Sequence, residues 1–389
     1  MKVSAKKLEG KVTLPSSKSL SHRALICAAL ASGESRISNL NLCDDILRTI
    51  EGLRVLGAKI RFEDEVCIVK GITKFDSGVI DCYESGSTLR FLTPLSLLSN
   101  HVTLTGEPSL MKRPMTVYLE LFENLKFDDS YHVHGGIKSG HYKVKGNISS
   151  QFISGLLFVL PLLEGDSIIE IEDKFESKSY VDLTVEVLSL FGVDIIFAND
   201  KYLVKGNQQY QAFNYQVEVD YSALAFFEVA NAIGNDVIIT NEIKPSKQGD
   251  QIIIDVVKNK ETIIDVSNCP DLVPALAVYA SLMNKRTEII NAKRLRIKES
   301  DRLKAITTSL NSIGAKITEK EDALIIEQVS GFKGNIDVSA FNDHRIAMAL
   351  AIAASRCEGY IEIDDIAVVK KSYEKFWRDF QMLGGEVNE

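Results

Sequence analysis

The sequence LRVLGAKI at Leu53–Ile60 returns in related form at three later places in the chain. The related segments are LSLFGVDI at Leu188–Ile195, LNSIGAKI at Leu310–Ile317 and QMLGGEV at Gln381–Val387. In each segment an apolar helical end leads into a glycine and then into a short strand. A glycine just after a helix accepts the left-handed conformation that ends it. The pattern therefore predicts a helix–glycine–strand element that is used at least four times.

Two weaker copies of the element extend this pattern to six. They lie at Leu119–Phe127 and Val256–Ile264, with Glu123 and Asn259 in place of the glycine. The repeating unit is then roughly 65 residues long, and a fixed period is typical of repeated supersecondary units. We therefore expect an α/β protein of six similar units. Chance recurrence is the alternative, because glycine follows many helices.

Length and composition limit the possible classes of protein. The chain has 389 residues, more than the roughly 250–300 at which one hydrophobic core stops growing, so two domains are expected. A net charge of −8 argues against a nucleic-acid binder. No apolar run reaches the ~18–20 residues of a membrane span, and the N-terminus resembles no targeting segment, which predicts a cytoplasmic protein. The six cysteines are scattered, with no C-x-x-C pair and no zinc spacing, so reduced and mostly buried thiols are expected, with a catalytic thiol as the alternative.

Basic residues gather where helices are predicted to begin. In LPSSKSLSHRALICAAL at Leu14–Leu30, one of several serines can cap a helix, and Lys18 and Arg23 flank its start. Free N–H groups and the positive end of the dipole attract anions there. Similar starts occur in ESGSTLRFL (Glu84–Leu92), GNISSQFISGLLFVL (Gly146–Leu160), LRIKESDRLKAI (Leu295–Ile306) and NDHRIAMALAIAASR (Asn342–Arg356). Five such starts in an acidic chain predict a site for a small ligand with several negative charges.

These five segments, in this order, resemble the 5-enolpyruvylshikimate-3-phosphate synthase family of enolpyruvyl transferases. The resemblance covers nearly the whole chain, as far as KKSYEKFW at Lys370–Trp377. It implies a two-domain inside-out α/β barrel, in which each domain has three repeated βαβαββ-like units and buried parallel helices. One domain would comprise residues 1–17 plus 221–389, the other residues 18–220, and the active site would lie in the cleft between them.

The resemblance also implies a reaction of the shikimate pathway, which leads to aromatic amino acids. The enolpyruvyl group of phosphoenolpyruvate would pass to the 5-hydroxyl of shikimate 3-phosphate, through a tetrahedral intermediate, with release of phosphate. Lys18, Asp271 and Glu299 would be catalytic, and their individual proton transfers stay open. Phosphoenolpyruvate would be bound by Lys18, Gly86, Arg113, Gln151, Arg302, Arg345 and Lys371. Shikimate 3-phosphate would be bound by Ser19, Arg23, Ser149, Ser150, Gln151, Tyr180, Asp271 and Lys298.

The family implies no metal, no organic cofactor and a monomeric enzyme. Gly86 leads us to expect inhibition by glyphosate, which Glu84, in place of the usual asparagine, could weaken. Ser16 and His22 are further departures from the family pattern. A metal site at His132 and His134, with His141 nearby, is an alternative to a polar loop.

Structural roles are open for both carboxylates, since Asp271 could cap a helix and Glu299 could pair with Arg302 or Lys298. The sister family acting on UDP-N-acetylglucosamine is a rival, but its first motif has Lys-Asn where this chain has Lys18-Ser19. It also commonly uses a loop cysteine, which SLMKRPM at Ser109–Met115 lacks. A non-catalytic relative that only binds a phosphorylated metabolite is the other alternative.

Overall fold

The computed structural model describes residues 1–283 and 286–388, and the chain forms two compact units. Unit 1 consists of Met1–Pro15 and Val219–Glu389, and unit 2 consists of Ser16–Glu218. Each unit has its own hydrophobic core.

Each crossing between the units falls two residues before the predicted one. The reason lies in the helix caps. The Ser17 side chain accepts a hydrogen bond from Leu20 N, and the Asp220 side chain accepts one from Ala223 N. Each cap therefore belongs to the unit of the helix that it starts.

The described part of the chain contains both helices and strands, numbered here in chain order. The helices are α1 Lys18–Leu30, α2 Asp44–Val55, α3 Gly86–Ser96, α4 Pro108–Met111, α5 Thr116–Leu121, α6 Ser150–Val159, α7 Lys178–Leu190, α8 Tyr221–Ala232, α9 Ile253–Asn259, α10 Val273–Met283, α11 Arg302–Ser312, α12 His344–Ala354 and α13 Phe376–Met382. The strands are β1 Lys2–Ser4, β2 Glu9–Val12, β3 Glu34–Ser38, β4 Lys59–Glu63, β5 Val66–Lys70, β6 Gly78–Asp81, β7 His101–Thr105, β8 Leu125–Phe127, β9 Tyr131–His134, β10 His141–Lys145, β11 Ser167–Glu172, β12 Ile195–Ala198, β13 Lys201–Val204, β14 Tyr215–Gln216, β15 Asp236–Ile239, β16 Ile263–Asp265, β17 Arg286–Ile290, β18 Lys316–Glu319, β19 Leu324–Glu327, β20 Phe332–Lys333, β21 Ile336–Val338, β22 Cys357–Glu358, β23 Ile361–Ile363 and β24 Glu386–Asn388.

Five four-stranded sheets share one pairing pattern. Their orders are β14-β3-β5-β4, β6-β7-β9-β8 and β10-β11-β13-β12 in unit 2, and β16-β17-β19-β18 and β21-β23-β1-β24 in unit 1. In every sheet the first pair is parallel and the other two pairs are antiparallel. Two two-stranded parallel sheets, β2 with β15 and β20 with β22, complete the described sheets. The mixed α/β class is thus confirmed, and the predicted repeat is visible in these five sheets.

Four glycines end helices as the sequence predicts. They follow α2, α7, α11 and α13, each precedes a strand, and each has a positive φ: Gly57 (110°), Gly192 (80°), Gly314 (99°) and Gly384 (93°). Of the two weaker copies, α9 ends in the left-handed residue Lys260 (φ 54°), one position beyond the predicted Asn259. Its next strand, β16, begins a sheet instead of completing one, so this copy departs from the common pattern.

Six helices are buried along most of their length. They are α1, α3 and α6 in unit 2, and α8, α10 and α12 in unit 1. Their sequences are rich in Ala, Leu, Ile and Phe on every side, which is typical of a helix without a solvent face. Several predicted site residues lie at or just before the first turns of these helices, among them Lys18, Gly86, Ser149, Asp271 and Arg345.

The three histidines considered for a metal site lie on strands. His132 and His134 lie on strand β9, so the predicted polar loop is wrong at these positions. His134 and His132 stack against His101, and the described residues hold no group of three or more His, Cys, Asp or Glu able to bind a metal. His141, at the start of β10, pairs with Glu170 instead.

The cysteines match the expected pattern of free and mostly buried thiols. All six are free, and five are buried. Burial raises the pKa of Cys67 to about 11 and that of Cys357 to about 12, which disfavours a catalytic thiolate at either position. Among the described residues, no helix is long and apolar enough to cross a membrane.

Candidate active site

Lys18 is the first residue of α1, and it pairs with a carboxylate that sequence reasoning missed. Its Nζ lies 2.7 Å from Asp45 Oδ2, and about one eighth of each side chain is exposed (14% and 12%). Asp45 lies in the first turn of α2, 27 residues further along the chain. Two adjacent acidic residues at the start of α2, Asp44 and Asp45, were the only signal in the sequence. The local sequence does not show that Asp45 pairs with Lys18.

Gly86 begins α3 and is surrounded by three polar side chains. A Cβ added there would lie 3.1 Å from Nη1 of both Arg113 and Arg90, and 3.9 Å from Gln151 Oε1. Gln151 Oε1 accepts a hydrogen bond from Arg90 Nη1 at 2.8 Å, and Gln151 Nε2 donates to Ser87 Oγ at 2.9 Å. Three predicted residues therefore converge here, and Arg90 is an additional cation that the prediction had not included.

The start of α6 combines a neutral cap with the predicted serines. Ser149 caps the helix, and its Oγ accepts a hydrogen bond from Gln151 N at 3.3 Å. Ser150 is the first helical residue and is buried. No acidic residue lies in the first turn, so the positive end of the helix is not neutralised locally. Such a helix start is suited to bind a phosphate.

Arg23 is buried, and its guanidinium donates hydrogen bonds to backbone carbonyls within unit 2. Its Nη1 donates to Ser19 O at 2.6 Å, its Nη2 to Tyr180 O at 2.7 Å, and its Nε to Thr184 Oγ1 at 2.8 Å. Burial lowers the pKa of Arg23 to about 10. The structure thus brings three residues predicted for shikimate 3-phosphate together through one guanidinium: Arg23, Ser19 and Tyr180.

A buried chain of hydrogen bonds links the starts of α1, α2 and α3. His22 Nδ1 lies 2.8 Å from Thr49 Oγ1, which lies 2.7 Å from Thr88 Oγ1. Thr88 Oγ1 in turn donates to Ser85 Oγ at 2.8 Å, and Ser85 caps α3. His22, which departs from the family pattern, therefore takes part in the packing between these three helices.

The protonation state of His22 follows from its surroundings. Burial lowers its pKa well below the usual value, and the positive charges of Lys18 and Arg23 lower it further. The imidazole is neutral in the folded chain, so it adds no charge to the anion-binding region. Glu84, the other notable departure, accepts a hydrogen bond from Ser109 Oγ at 3.0 Å.

Asp271 in unit 1 is surrounded by three cations. It lies in the short 3-10 turn Pro270–Leu272 that precedes α10. Its Oδ1 lies 2.9 Å from Arg302 Nη1 and 3.5 Å from Lys298 Nζ, and its Oδ2 lies 2.9 Å from Arg345 Nη2. Burial alone would raise the pKa of Asp271, but Arg345, Lys298 and Arg302 outweigh it and hold the pKa well below its usual range. Asp271 is therefore ionised at neutral pH.

Arg302 is the first residue of α11, and its guanidinium contacts three carboxylates. Besides Asp271, its Nη2 donates to Glu299 Oε2 at 2.6 Å. Its Nε donates to Asp343 Oδ2 at 2.8 Å. Arg302 and Asp343 are almost completely buried, with side-chain exposures of 1% and 0%. The ion pair considered for Glu299 thus exists, within the same cluster as Asp271.

Of the two other predicted cations of unit 1, Lys371 is buried and Lys298 is partly exposed. Lys371 ends the 3-10 turn Ala367–Lys371, and its Nζ donates to Asn342 O at 2.9 Å and to Asn342 Oδ1 at 3.1 Å. It therefore holds the backbone just before α12, which starts with His344 and Arg345. Burial lowers the pKa of Lys298, although Asp271 opposes this effect.

The predicted site residues thus form two sets, each organised within one unit. Unit 2 carries Lys18, Ser19, Arg23, Gly86, Arg113, Ser149, Ser150, Gln151 and Tyr180. Unit 1 carries Asp271, Lys298, Glu299, Arg302, Arg345 and Lys371. The repeated sheets and the cationic helix starts within each unit are typical of an α/β protein that binds small anions.

Comparisons with known proteins identify the family more closely. The sequence model described as EPSP synthase (3-phosphoshikimate 1-carboxyvinyltransferase) matches residues 3–262 and 257–380. A 3-phosphoshikimate 1-carboxyvinyltransferase of Clostridium beijerinckii is 44% identical over 100% of this chain and 98% of the relative. The enzyme of that name from Clostridioides difficile is 45% identical with the same coverage. The solved EPSP synthase of Acinetobacter baumannii has a TM-score of 0.81 and 25% identity, and covers 100% of this chain and 99% of its own. The chain belongs to the EPSP synthase family.

Proposed function

We propose that this chain transfers the enolpyruvyl group of phosphoenolpyruvate to the 5-hydroxyl of shikimate 3-phosphate and releases inorganic phosphate. Membership of the family supports the reaction, and full-length relatives carry the name of this activity. The observation that carries the proposal is the shared guanidinium of Arg302, which contacts both Asp271 and Glu299. Acid–base chemistry at two neighbouring atoms needs two carboxylates held in one charge environment.

The unit 2 set would supply the anion contacts. Ser149 and Ser150, at the start of α6, would bind the 3-phosphate through hydroxyl and backbone N–H groups. Arg113, beside Gly86 and Gln151, would pair with phosphoenolpyruvate, because a guanidinium fork suits carboxylate and phosphate oxygens. Lys18 would contact the same substrate near the reacting bond.

The unit 1 set would supply the proton transfers. The ionised Asp271 would accept the proton of the 5-hydroxyl while the hydroxyl oxygen forms a bond to C2 of phosphoenolpyruvate. Glu299, as the acid, would protonate the methylene carbon and, as the base, would later remove a methyl proton while phosphate leaves. Lys18 is the alternative group for these steps at carbon. Arg302, Arg345 and Lys371 would also contact phosphoenolpyruvate.

The finer features of the fold and setting belong to the same proposal. We propose an inside-out α/β barrel in each unit, with its buried helices parallel, and a monomeric cytoplasmic enzyme. The repeated sheet pattern and the six buried helices support the barrel part of this proposal.

The direct test mixes the purified chain with shikimate 3-phosphate and phosphoenolpyruvate and measures phosphate release. Mass spectrometry of the product should show one added carboxyvinyl group for each phosphate released. UDP-N-acetylglucosamine in place of shikimate 3-phosphate should give no release. Binding of both substrates without turnover would instead indicate a non-catalytic relative, and turnover of the nucleotide sugar would indicate the sister activity.

Arg113→Ala tests the anion contacts, and Lys112→Ala is its matched control. Both variants remove one cation from adjacent positions, but Lys112 is exposed and Arg113 lies beside Gly86. We expect Arg113→Ala to raise the KM for phosphoenolpyruvate by about 10- to 100-fold, as for loss of a charge-assisted contact. Lys112→Ala should leave it nearly unchanged. Equal changes in the KM for phosphoenolpyruvate in the two variants would contradict a role of Arg113 in binding this substrate.

A further inference from the structure

Asp343, which caps α12, is a buried carboxylate with every acceptor position in use. It lies in the segment Asn342–Arg356, and the sequence predicted no role for it. Its Oδ1 accepts from Arg345 N at 3.0 Å and from Arg302 Nη2 at 3.2 Å. Its Oδ2 accepts from Arg302 Nε at 2.8 Å and from Ser300 Oγ at 3.1 Å. A carboxylate offers about four acceptor sites, so Asp343 is saturated by the protein itself.

The contact with Arg302 is bidentate along one edge of the guanidinium. Because the group is planar and rigid, fixing the Nε–Nη2 edge also fixes the directions of the other N–H bonds. The remaining donors then meet Asp271 Oδ1 at 2.9 Å and Glu299 Oε2 at 2.6 Å. Four of the five N–H groups of Arg302 thus point at carboxylate oxygens.

The same carboxylate also affects Arg345. By accepting from the backbone N of Arg345, Asp343 fixes the first turn of α12. From that turn the Arg345 side chain donates to Asp271 Oδ2 at 2.9 Å. Both oxygens of Asp271 are therefore paired with arginines that Asp343 holds in place.

We propose that Asp343 is a positioning residue that orients Arg302 and Arg345 toward Asp271 and Glu299 and so sets the geometry of the proton transfers. The inference rests on the function proposed above. Asp343 touches no reacting atom, because its acceptor sites are filled by the protein. Its effect passes through the two arginines, and mainly through Arg302.

The test is a double-substitution cycle with Asp343→Asn and Arg302→Lys. Asparagine still caps a helix but presents an amide N–H₂ group to a cation. Loss of one charge-assisted contact predicts a kcat about 10- to 100-fold lower for Asp343→Asn, with the KM values changed less. If Asp343 acts through Arg302, the double variant should be about as slow as the slower single variant. Multiplied losses in the double variant, or a normal kcat for Asp343→Asn, would overturn the proposal.

Asp301→Asn is the matched control. Asp301 caps α11 in the same unit, accepts from Lys304 N at 3.2 Å, and pairs with Arg296 at 3.0 Å. The same chemical change there removes a partly exposed ion pair, so kcat should stay within about threefold of wild type. If Asp301→Asn lowered kcat as much as Asp343→Asn does, loss of charge at any helix cap would explain both results. The positioning role of Asp343 would then be overturned.

Ser300→Ala keeps the proposal testable if Asp343→Asn does not fold. It removes only the hydrogen bond to Asp343 Oδ2 and leaves all charges in place. We expect a kcat about two- to tenfold lower at unchanged KM, in keeping with the loss of one neutral hydrogen bond to a charged group. An unchanged kcat would contradict the positioning role. Phosphate release by the wild-type chain, measured beside it, separates this failure from failure of the proposed function.

Discussion

Asp271→Asn should lower the stability of the fold as well as turnover, whereas Glu299→Gln should lower mainly turnover. Asp271 lies 2.9 Å from both Arg302 Nη1 and Arg345 Nη2, and 3.5 Å from Lys298 Nζ, with 16% of its side chain exposed. An asparagine keeps one acceptor oxygen but no charge. Two buried arginines and the partly exposed Lys298 would then lose their common counter-ion.

The expected magnitudes differ clearly. Removing one partner of a buried ion pair costs about 3–5 kcal/mol of unfolding free energy, because the other charge stays buried and uncompensated. For Glu299→Gln the neutral amide oxygen can still accept from Arg302, so the cost is about 1 kcal/mol. For units of this size, 1 kcal/mol corresponds to about 2–4 °C in Tm. We therefore expect a Tm loss of about 6–20 °C for Asp271→Asn and at most about 4 °C for Glu299→Gln.

The assay is thermal unfolding of both variants beside wild type, with phosphate release measured well below each Tm. Turnover should fall by several orders of magnitude in both variants if the two carboxylates perform the proton transfers. An Asp271→Asn variant that melts within about 1 °C of wild type would refute the counter-ion argument. Full turnover in either variant would refute its catalytic role.

The difference in stability between wild type and Asp271→Asn should depend on pH. The cations lower the pKa of Asp271 in the folded chain below its unfolded value of about 3.9. Its contribution is therefore complete above about pH 4–5 and is lost as the pH falls through the folded pKa. Wild type and Asp271→Asn should consequently converge in stability only in strong acid. Convergence near neutral pH would contradict the assigned ionisation.

Three further predictions concern unit 2. Gly86→Ala would place a Cβ 3.1 Å from Nη1 of both Arg113 and Arg90, so the KM for phosphoenolpyruvate should rise about tenfold in steady-state assays, and an unchanged KM would count against the site. Wild type should be inhibited by glyphosate, and an inhibition curve that stays flat into the millimolar range would contradict this. His22→Asn should flatten the pH dependence of urea unfolding between about pH 7.5 and about pH 5.5. Burial lowers the pKa of His22, so wild type loses up to about 1.4 kcal/mol per pH unit below the unfolded value of about 6.5, and equal slopes would contradict the neutral imidazole.

The sequence was most informative where one residue type has a conformational role of its own. Glycine at the end of a helix marks a left-handed position, and Gly57, Gly192 and Gly314 all adopt it. The two weaker copies lacked that marker. In the second of them the left-handed residue is Lys260, which no propensity argument would choose over its neighbour Asn259.

Pairings between helix starts could not be predicted from local sequence. Asp45 contacts Lys18 from another helix, 27 residues away, and Asp343 contacts Arg302 across 41 residues. Arg90 was visible in the first turn of α3, but its contact with Gln151 spans 61 residues. Such contacts depend on how the buried helices pack. The sequence pattern of one segment predicts where a helix begins. It does not predict which other helix packs against that position.

The caps of the buried helices indicate different chemical tasks for the two sets of residues. In unit 2, α1, α3 and α6 are capped by neutral serines and have no acidic residue in the first turn, so their positive ends are not offset by a cap charge. In unit 1, α12 is capped by the ionisable Asp343, whose carboxylate pairs with Arg302. A neutral cap leaves the positive potential available to a bound phosphate. A carboxylate cap instead offsets that potential, and Asp343 holds Arg302 through its own negative charge. The proton transfers proposed for Asp271 and Glu299 would depend on an arginine fixed in this way.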